Sequence, residues 1–495
     1  MASDVVYFSG DQNKAYNEVV STLRLSGIDL EEAKLSSKSD RQSSLLGIIG
    51  RAGTGKTLLI SKLFEALKLS GINIITGDYE SKRLRTERSL SILAPTNKAA
   101  SVLRSKGVPA TTLHRILYTP IYDPEYEKIA EWLVGNSARP ENENFEKSIL
   151  DRIFEFYKTN KSIPGALASA GLKGSDFIQG WKRREEPLDV GFVDEASMLD
   201  NQQFEDLQEI FSNLILFGDP AQLAPINQSG SMVFDKIPDK RKCLLRQIHR
   251  QQNDNPILEL ASKLQDPSID FLAFDQMVKE VSTSDERVVY SQRVNIDLMA
   301  FSPVLVWRNS TRIRLISAFR EAHSITETEL LPGEPLICDG IELPLKHRKK
   351  RIDLEARGLI KGAHVIYLGP GRKPGFSKLH IIGSDDPQVS AASIVKIEKP
   401  DVEEPFIPFA ARMGATFLHG SAVTIHKSQG SQWEQVQVIS SDLAVASNTG
   451  RIESGLPLWK RLTYVAITRA QHQLNWVTRN RLSKPKIPLD TKKLI

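Results

Sequence analysis

Across 495 residues the chain carries only two cysteines, Cys243 and Cys338. They stand far apart, with no CxxC and no Cys/His cluster, so neither a disulfide framework nor a structural zinc site is predicted. Long apolar runs are missing as well. Nowhere do about 18 apolar residues follow one another, which predicts no transmembrane helix. The opening MASDVVYFSGDQNKAY lacks the basic-then-apolar order of a secretory signal. A reducing cytoplasm, the host's for a viral source, is the expected location, and no membrane partner is expected. A strong charge of one sign is also absent: Lys and Arg number 65 against 60 Asp and Glu, a formal net charge of +5. Such a balance permits nucleic-acid binding without requiring it.

With 40% apolar and 25% charged residues, the composition is that of a globular protein with room for about three or four structural units. Short apolar runs ending in Gly, Asp or Thr recur along the chain, the cadence of parallel strands feeding loops. LLGIIG (Leu45 to Gly50), LSILAPT (Leu90 to Thr96), LDVGFVDE (Leu188 to Glu195) and NLILFGD (Asn213 to Asp219) predict one open α/β sheet in the first half. VLVWRN (Val304 to Asn309), VQVISSD (Val436 to Asp442) and LNWVTR (Leu474 to Arg479) predict another in the second. Two α/β lobes would meet at a cleft. Between Leu117 and Pro187 a segment rich in Glu, Lys, Phe and Tyr, with helical stretches near Glu127 to Val134 and Phe145 to Tyr157, reads as an insertion. From about Leu343 to Pro408, Pro- and Gly-punctuated short strands predict a small β-barrel. The charge run KHRKKR before them, Lys346 to Arg351, reads as a solvated face.

The strongest chemical signal is GRAGTGKT, Gly50 to Thr57, between a predicted strand and the helical run LLISKLFEALKL. This is the GxxxxGK[ST] pattern in the context a phosphate-binding loop needs. The glycines Gly50, Gly53 and Gly55 let backbone amides converge on phosphate oxygens, Lys56 balances the β/γ charge, and Thr57 can ligate Mg²⁺. ATP or a close relative is the predicted ligand. In FVDEAS, Asp194 suits the metal and Glu195 suits a base that deprotonates the attacking water. That pair favours hydrolysis over phosphate transfer by a metabolic kinase. GDPAQLAP adds Gln222, whose amide could sense the γ-phosphate, and Arg250 and Arg469 are candidates for guanidinium contacts to the transferring phosphate. Taken singly, each arginine reads more readily as a surface or ion-pair residue.

The ordered set GRAGTGKT, APTNKAA, TTLHRI, VDEAS, GDPAQL, HRQ, TIHKSQGSQW and YVAITRA resembles the superfamily 1 helicases over most of the chain. HKSQG is similar to the RecD and Dda branch, superfamily 1B. The resemblance implies an α/β fold of two RecA-like P-loop NTPase lobes, with an inserted subdomain in lobe one and a small β-barrel inserted in lobe two. On that plan 1–116 and 188–248 form lobe 1A around an inserted pin subdomain 1B at 117–187. Segments 249–342 and 413–495 form lobe 2A around barrel 2B at 343–412.

The resemblance further implies an ATP-dependent 5′→3′ DNA helicase, serving replication, recombination or repair, with ATP and Mg²⁺ as cofactors. Gln12 takes the place of the adenine-reading glutamine. Strand-binding roles fall to Thr96, Asn97, Thr112, His114, Trp307, Arg308, Asn309, Thr424, His426, Lys427, Ser428 and Gln429. Hydroxyls, amides and a ring of this kind hold phosphates and stack bases without reading sequence. Trp307 also fits a core aromatic, since it ends an apolar strand. Departures from the family pattern are Asn97, where many relatives have Gly, Gln432, where Glu is frequent, and a first-lobe insertion long for a pin. The expected partners are single-stranded DNA and duplex junctions, with a single-strand-binding protein or replisome component beside them. A stand-alone monomeric motor is expected. An RNA helicase or a protein-displacing translocase uses the same motor parts, and a nucleotide-gated clamp without turnover is disfavoured by Glu195 and the two arginines.

Overall fold

Strands buried on both faces are predominantly apolar, and the first-half runs follow that rule with buried Ser89, Ser91 and Asp189 as exceptions. All positions of Ser89–Ala94 and Leu188–Val193 are buried, as are the last five of Ser44–Gly50. In the computed structural model these segments pair in parallel. The model describes residues 8–36, 43–76, 87–122, 124–140, 147–160, 166, 178–225, 232–247, 255–325, 330–341, 354, 357–372, 375–384, 386–396 and 415–489. Arg250 and the charge run 346–351 lie outside them, as do residues 123, 141–146, 161–165 and 167–177 of the insertion and residues 397–414.

The chain forms two units from interleaved segments. One takes residues 1–118, 183–291 and 425–478, the other 119–182, 292–424 and 479–495.

The first unit holds a seven-stranded sheet in the order Lys242–Leu245, Ser44–Gly50, Phe211–Gly218, Leu188–Val193, Ser89–Ala94, Asn73–Ile74, with Ala110–Thr112 also on Ser89–Ala94. Its register places Gly218 beside Ile49 and Val193 beside Leu216. The loops carrying Lys56, Asp194 and Asp219 therefore leave one carboxyl edge, where open α/β sheets place their ligands. One face packs Leu59, Leu63, Phe192 and Phe217, the other Leu207, Leu214, Leu216 and Phe234. Three further strands, Val288–Ser291, Ala470–Val477 and Trp433–Ile439, are also parallel. The predicted run Val436 to Asp442 divides: Trp433–Ile439 is strand, and Ser440–Asn448 is helix. Every residue of helix Leu458–Ile467 is buried.

In the second unit, Val304–Val306 pairs in parallel with Ala422–Thr424. The strand stops at Val306, and helix Asn309–Ala322 begins three residues later. Five strands, Pro335–Ile341, His364–Pro370, Phe376–Ile381, Gln388–Lys396 and Ala415–His419, close a barrel around Leu336, Val365, Leu379 and Phe417. Helices Pro124–Val134 and Lys147–Asn160 share a small core of Ile129, Leu133, Leu150, Ile153 and Ala166.

Candidate active site

Helix Gly10–Leu25 starts with a capping box in which the Ser9 hydroxyl accepts from Gln12 N and Gln12 Oε1 accepts from Ser9 N at 3.0 Å. The box turns the other end of the Gln12 amide inward, where Nε2 donates to Thr54 O at 3.0 Å. Gln12 is buried against the phosphate-loop backbone. Its neighbour Asp11 accepts from the amides of Arg246 and Gln247, and these bonds hold its carboxyl below the usual range.

The loop itself depends on two glycines. A Cβ on Gly50 would stand 2.3 Å from Thr54 Oγ1 and 2.9 Å from Leu245 Cβ, and Gly55 has φ +82° at the cap of helix Lys56–Leu69. Lys56 Nζ donates to Gly50 O at 2.5 Å and Arg51 O at 3.0 Å, so the ammonium is held at the loop by its own carbonyls.

Across the sheet edge, Asp194 ends its strand and accepts from Glu195 N at 2.9 Å. Burial and then the Glu195 carboxylate raise Asp194 from 3.8 to about 7. Glu195 itself sits at φ +51°, a left-handed conformation unusual for a residue with a side chain. Gln222 Nε2 donates to Glu195 Oε2 at 3.0 Å, while Gln222 Oε1 is buried with no hydrogen-bond partner among the described residues.

Lys56, Thr57, Asp194, Glu195, Gln222 and Arg469 line one cavity of about 550 Å³. Arg469 donates from Nε to Val465 O at 3.0 Å and from Nη1 to Ser431 O at 3.2 Å. Lys98, Lys106, Gln432 and Gln471 share the lining without having been assigned a nucleotide role from sequence. Burial lowers the pKa of Lys98. Their only signal in the sequence was proximity to matched motifs.

The strand-binding positions are placed as follows. Thr96 caps helix Asn97–Ser105, its hydroxyl accepting from Ala99 N at 3.1 Å. A Cβ on Gly430 would lie 3.4 Å from that hydroxyl, so the APTNKAA and HKSQG segments meet. Thr112 caps helix Leu113–Leu117, and His114 is exposed with its ring 5.0 Å from Tyr118. His426 is half-buried; burial, then Arg451, lowers its pKa. Lys427 is exposed. Ser428 is fully buried and donates to Ile425 O at 2.7 Å, and Gln429 Nε2 is buried without a partner. In the second unit Trp307 is half-buried, Arg308 and Asn309 are exposed, and Thr424 ends its strand half-buried. Asn309 Oδ1 accepts from Arg312 Nε at 2.8 Å.

Residues 35–283 match the family model described as AAA domain, and residues 419–477 match that of the UvrD-like helicase C-terminal domain. The chain belongs to the superfamily 1B helicases. Among curated proteins it is similar to the conjugal transfer protein TraA of Agrobacterium fabrum (strain C58), 25% identical over 349 residues. That alignment covers 63% of this helicase and 28% of TraA, so the chain spans less than a third of its relative's length. Similar solved structures include the Pif1 helicase from Candida albicans, 15% identical, with 97% and 98% of the two chains covered and a TM-score of 0.49. Another is Bacteroides Pif1 bound to single-stranded DNA, 14% identical, with 96% and 92% covered and a TM-score of 0.48.

Proposed function

We propose that this helicase couples ATP hydrolysis to 5′→3′ movement on single-stranded DNA and to duplex unwinding, in replication, recombination or repair. The observation that carries the reading is the convergence of Lys56, Asp194, the Glu195–Gln222 pair and Arg469 on one cavity at the sheet's carboxyl edge. A hydrolase needs these groups together: a phosphate cradle, a base for water and cations for the developing charge.

The cavity fits a magnesium nucleotide. Gly50 and Gly55 leave the loop backbone open, and Asp194 is a buried carboxylate whose charged form is disfavoured by burial and by Glu195, with Lys56 offsetting only part of this. Thr57 and Asp194 would hold Mg²⁺, which when bound neutralises β/γ-phosphate charge. Lys56 releases the loop carbonyls to pair with phosphate. Glu195 takes a proton from the attacking water, whose oxygen bonds to the γ-phosphorus as the bond to the ADP oxygen breaks. Gln222 reports γ-phosphate occupancy, Arg250 and Arg469 stabilise the transferring group, and Gln12 reads the base.

Thr96, Asn97, Thr112, His114, Trp307, Arg308, Asn309, Thr424, His426, Lys427, Ser428 and Gln429 form the proposed track for the strand. For Ser428 the contribution is turn geometry, since its hydroxyl is spent on Ile425 O. The proposed organisation keeps lobes 1A and 2A and a pin subdomain at 117–187, but widens the barrel from 343–412 to 335–419, because its first and last strands, Pro335–Ile341 and Ala415–His419, lie outside the narrower span; the proposed motor works as a monomer in the cytoplasm.

The test is ATP turnover with Mg²⁺, alone, with single-stranded DNA and with single-stranded RNA. DNA-dependent stimulation supports the reading, and a preference for RNA would overturn the DNA track. Absence of turnover in every arm would overturn the motor itself.

A further inference from the structure

Arg461 was given no role from sequence, yet it is 2% exposed and each of its three guanidinium nitrogens donates a hydrogen bond. Nη1 donates to Pro220 O and Gln222 O, both at 2.6 Å. Nε donates to Glu453 O at 2.7 Å, and Nη2 donates to Ser454 O at 2.9 Å. One cation thus closes four main-chain acceptors from two separate segments. One turn along the same helix, the Tyr464 hydroxyl donates to Asp219 Oδ2 at 2.6 Å and accepts from Ala52 N at 3.4 Å. Burial and then Asp219 raise the Tyr464 pKa well above its ordinary value, so it remains a hydroxyl donor.

These contacts bear on catalysis through Gln222. Its main-chain carbonyl is fixed by Arg461 while its side chain reaches Glu195 Oε2. The origin of the Gln222 side chain is therefore set by Arg461, and its end sets the base. The same helix, Leu458–Ile467, leads directly to Arg469 on the far wall of the cavity.

We infer that Arg461 and Tyr464 form a clasp that holds the Asp219–Gln222 turn, making Arg461 a positioning residue that registers Gln222 and Glu195 with the Arg469 helix. This rests on the ATP-hydrolysis reading above. A buried guanidinium is suited to the task because a lysine offers a single compact ammonium and cannot span acceptors in a planar fork. Losing the fork leaves buried carbonyls unmatched and frees the turn to shift.

The experiment compares ATP turnover of the full chain with R461K, Q222A and the double variant, alongside thermal melts. R461K should lower kcat about tenfold while leaving KM within about twofold, because the nucleotide-binding loop is not touched. In the Q222A background R461K should have little further effect on kcat, since its action passes through Gln222. An unchanged kcat in R461K, or the same fold loss with and without Gln222, would overturn the inference. If R461K does not fold, R461Q in the same two backgrounds decides by the same criterion, since its neutral amide keeps a donor toward the turn and leaves the Tyr464 contact to Ala52 in place. A parent chain without turnover would remove the reading beneath the clasp, an outcome distinct from an unaffected R461K.

Discussion

Gln222 Nε2 donates to Glu195 Oε2 at 3.0 Å, and the other end of the same amide, Oε1, is buried without a partner among the described residues. The orientation follows from chemistry, because an ionised carboxylate accepts and cannot face an amide oxygen at that distance. A buried acceptor beside the proposed base is suited to a proton donor, and in the proposed reaction the attacking water is that donor. Gln222→Glu puts a second carboxylate there. The rearranged hydrogen bonding, worth roughly 1–3 kcal/mol, should slow ATP turnover about five- to hundredfold with KM little changed. Steady-state kinetics checks this, and a kcat equal to the parent's would show that the amide does not act on turnover.

Glu195→Gln keeps the shape of the site and removes the base. Nucleotide binding, followed with a fluorescent ATP analogue, should persist while turnover falls by about 10²–10⁴-fold. Hydrolysis at the parent rate would assign water activation elsewhere.

Lys56→Ala deletes the ammonium that Gly50 O and Arg51 O hold. Arg51 and Lys56 are half-buried, so water can take the ammonium's place, and the variant should melt close to the parent yet lose DNA-stimulated hydrolysis. Retained stimulated turnover would sink the phosphate-loop role.

Asp194 carries the pH dependence. Its value of about 7 in the folded, nucleotide-free chain exceeds the unfolded value of about 3.9. The folded state therefore binds this proton more tightly, a contribution present in full below about pH 4 and lost as pH rises to about 7. Asp194→Asn lacks the titration. In EDTA, the melting temperature of the parent should fall relative to Asp194→Asn between pH 5 and pH 8, and parallel curves would contradict the buried, proton-binding state.

Arg88→Ala tests the scaffold. Arg88 pairs with Asp189 at 3.1 Å where both side chains are almost wholly buried. Removing one partner of such a pair costs about 3–5 kcal/mol, which urea denaturation would detect. A change within error would show that Ser89, which also donates to Asp189, suffices.

The phosphate loop and the Asp194–Glu195 pair were legible because local spacing fixes their chemistry, and the first-sheet strands because burial on both faces favours predominantly apolar runs. What escaped depended on contacts distant in sequence. Arg461 lies about 240 residues from its acceptors Pro220 and Gln222, and nothing local in WKRLTY announces it. Ser440 to Asp442 read as the tail of a strand because Val436, Val438 and Ile439 before them are apolar and β-branched, whereas the chain turns into a helix at Ser440. Trp307 fitted core or surface equally; it is half-buried at the end of its strand, beside exposed Arg308 and Asn309. The interleaving of 425–478 with the first half of the chain is likewise a tertiary fact.

The central claim is tested most directly by strand displacement with ATP and Mg²⁺ on two partial duplexes, one with a 5′ single-stranded tail and one with a 3′ tail. The account predicts unwinding of the 5′-tailed duplex alone; unwinding from the 3′ tail would contradict the direction, and stimulated hydrolysis without displacement on either would contradict unwinding.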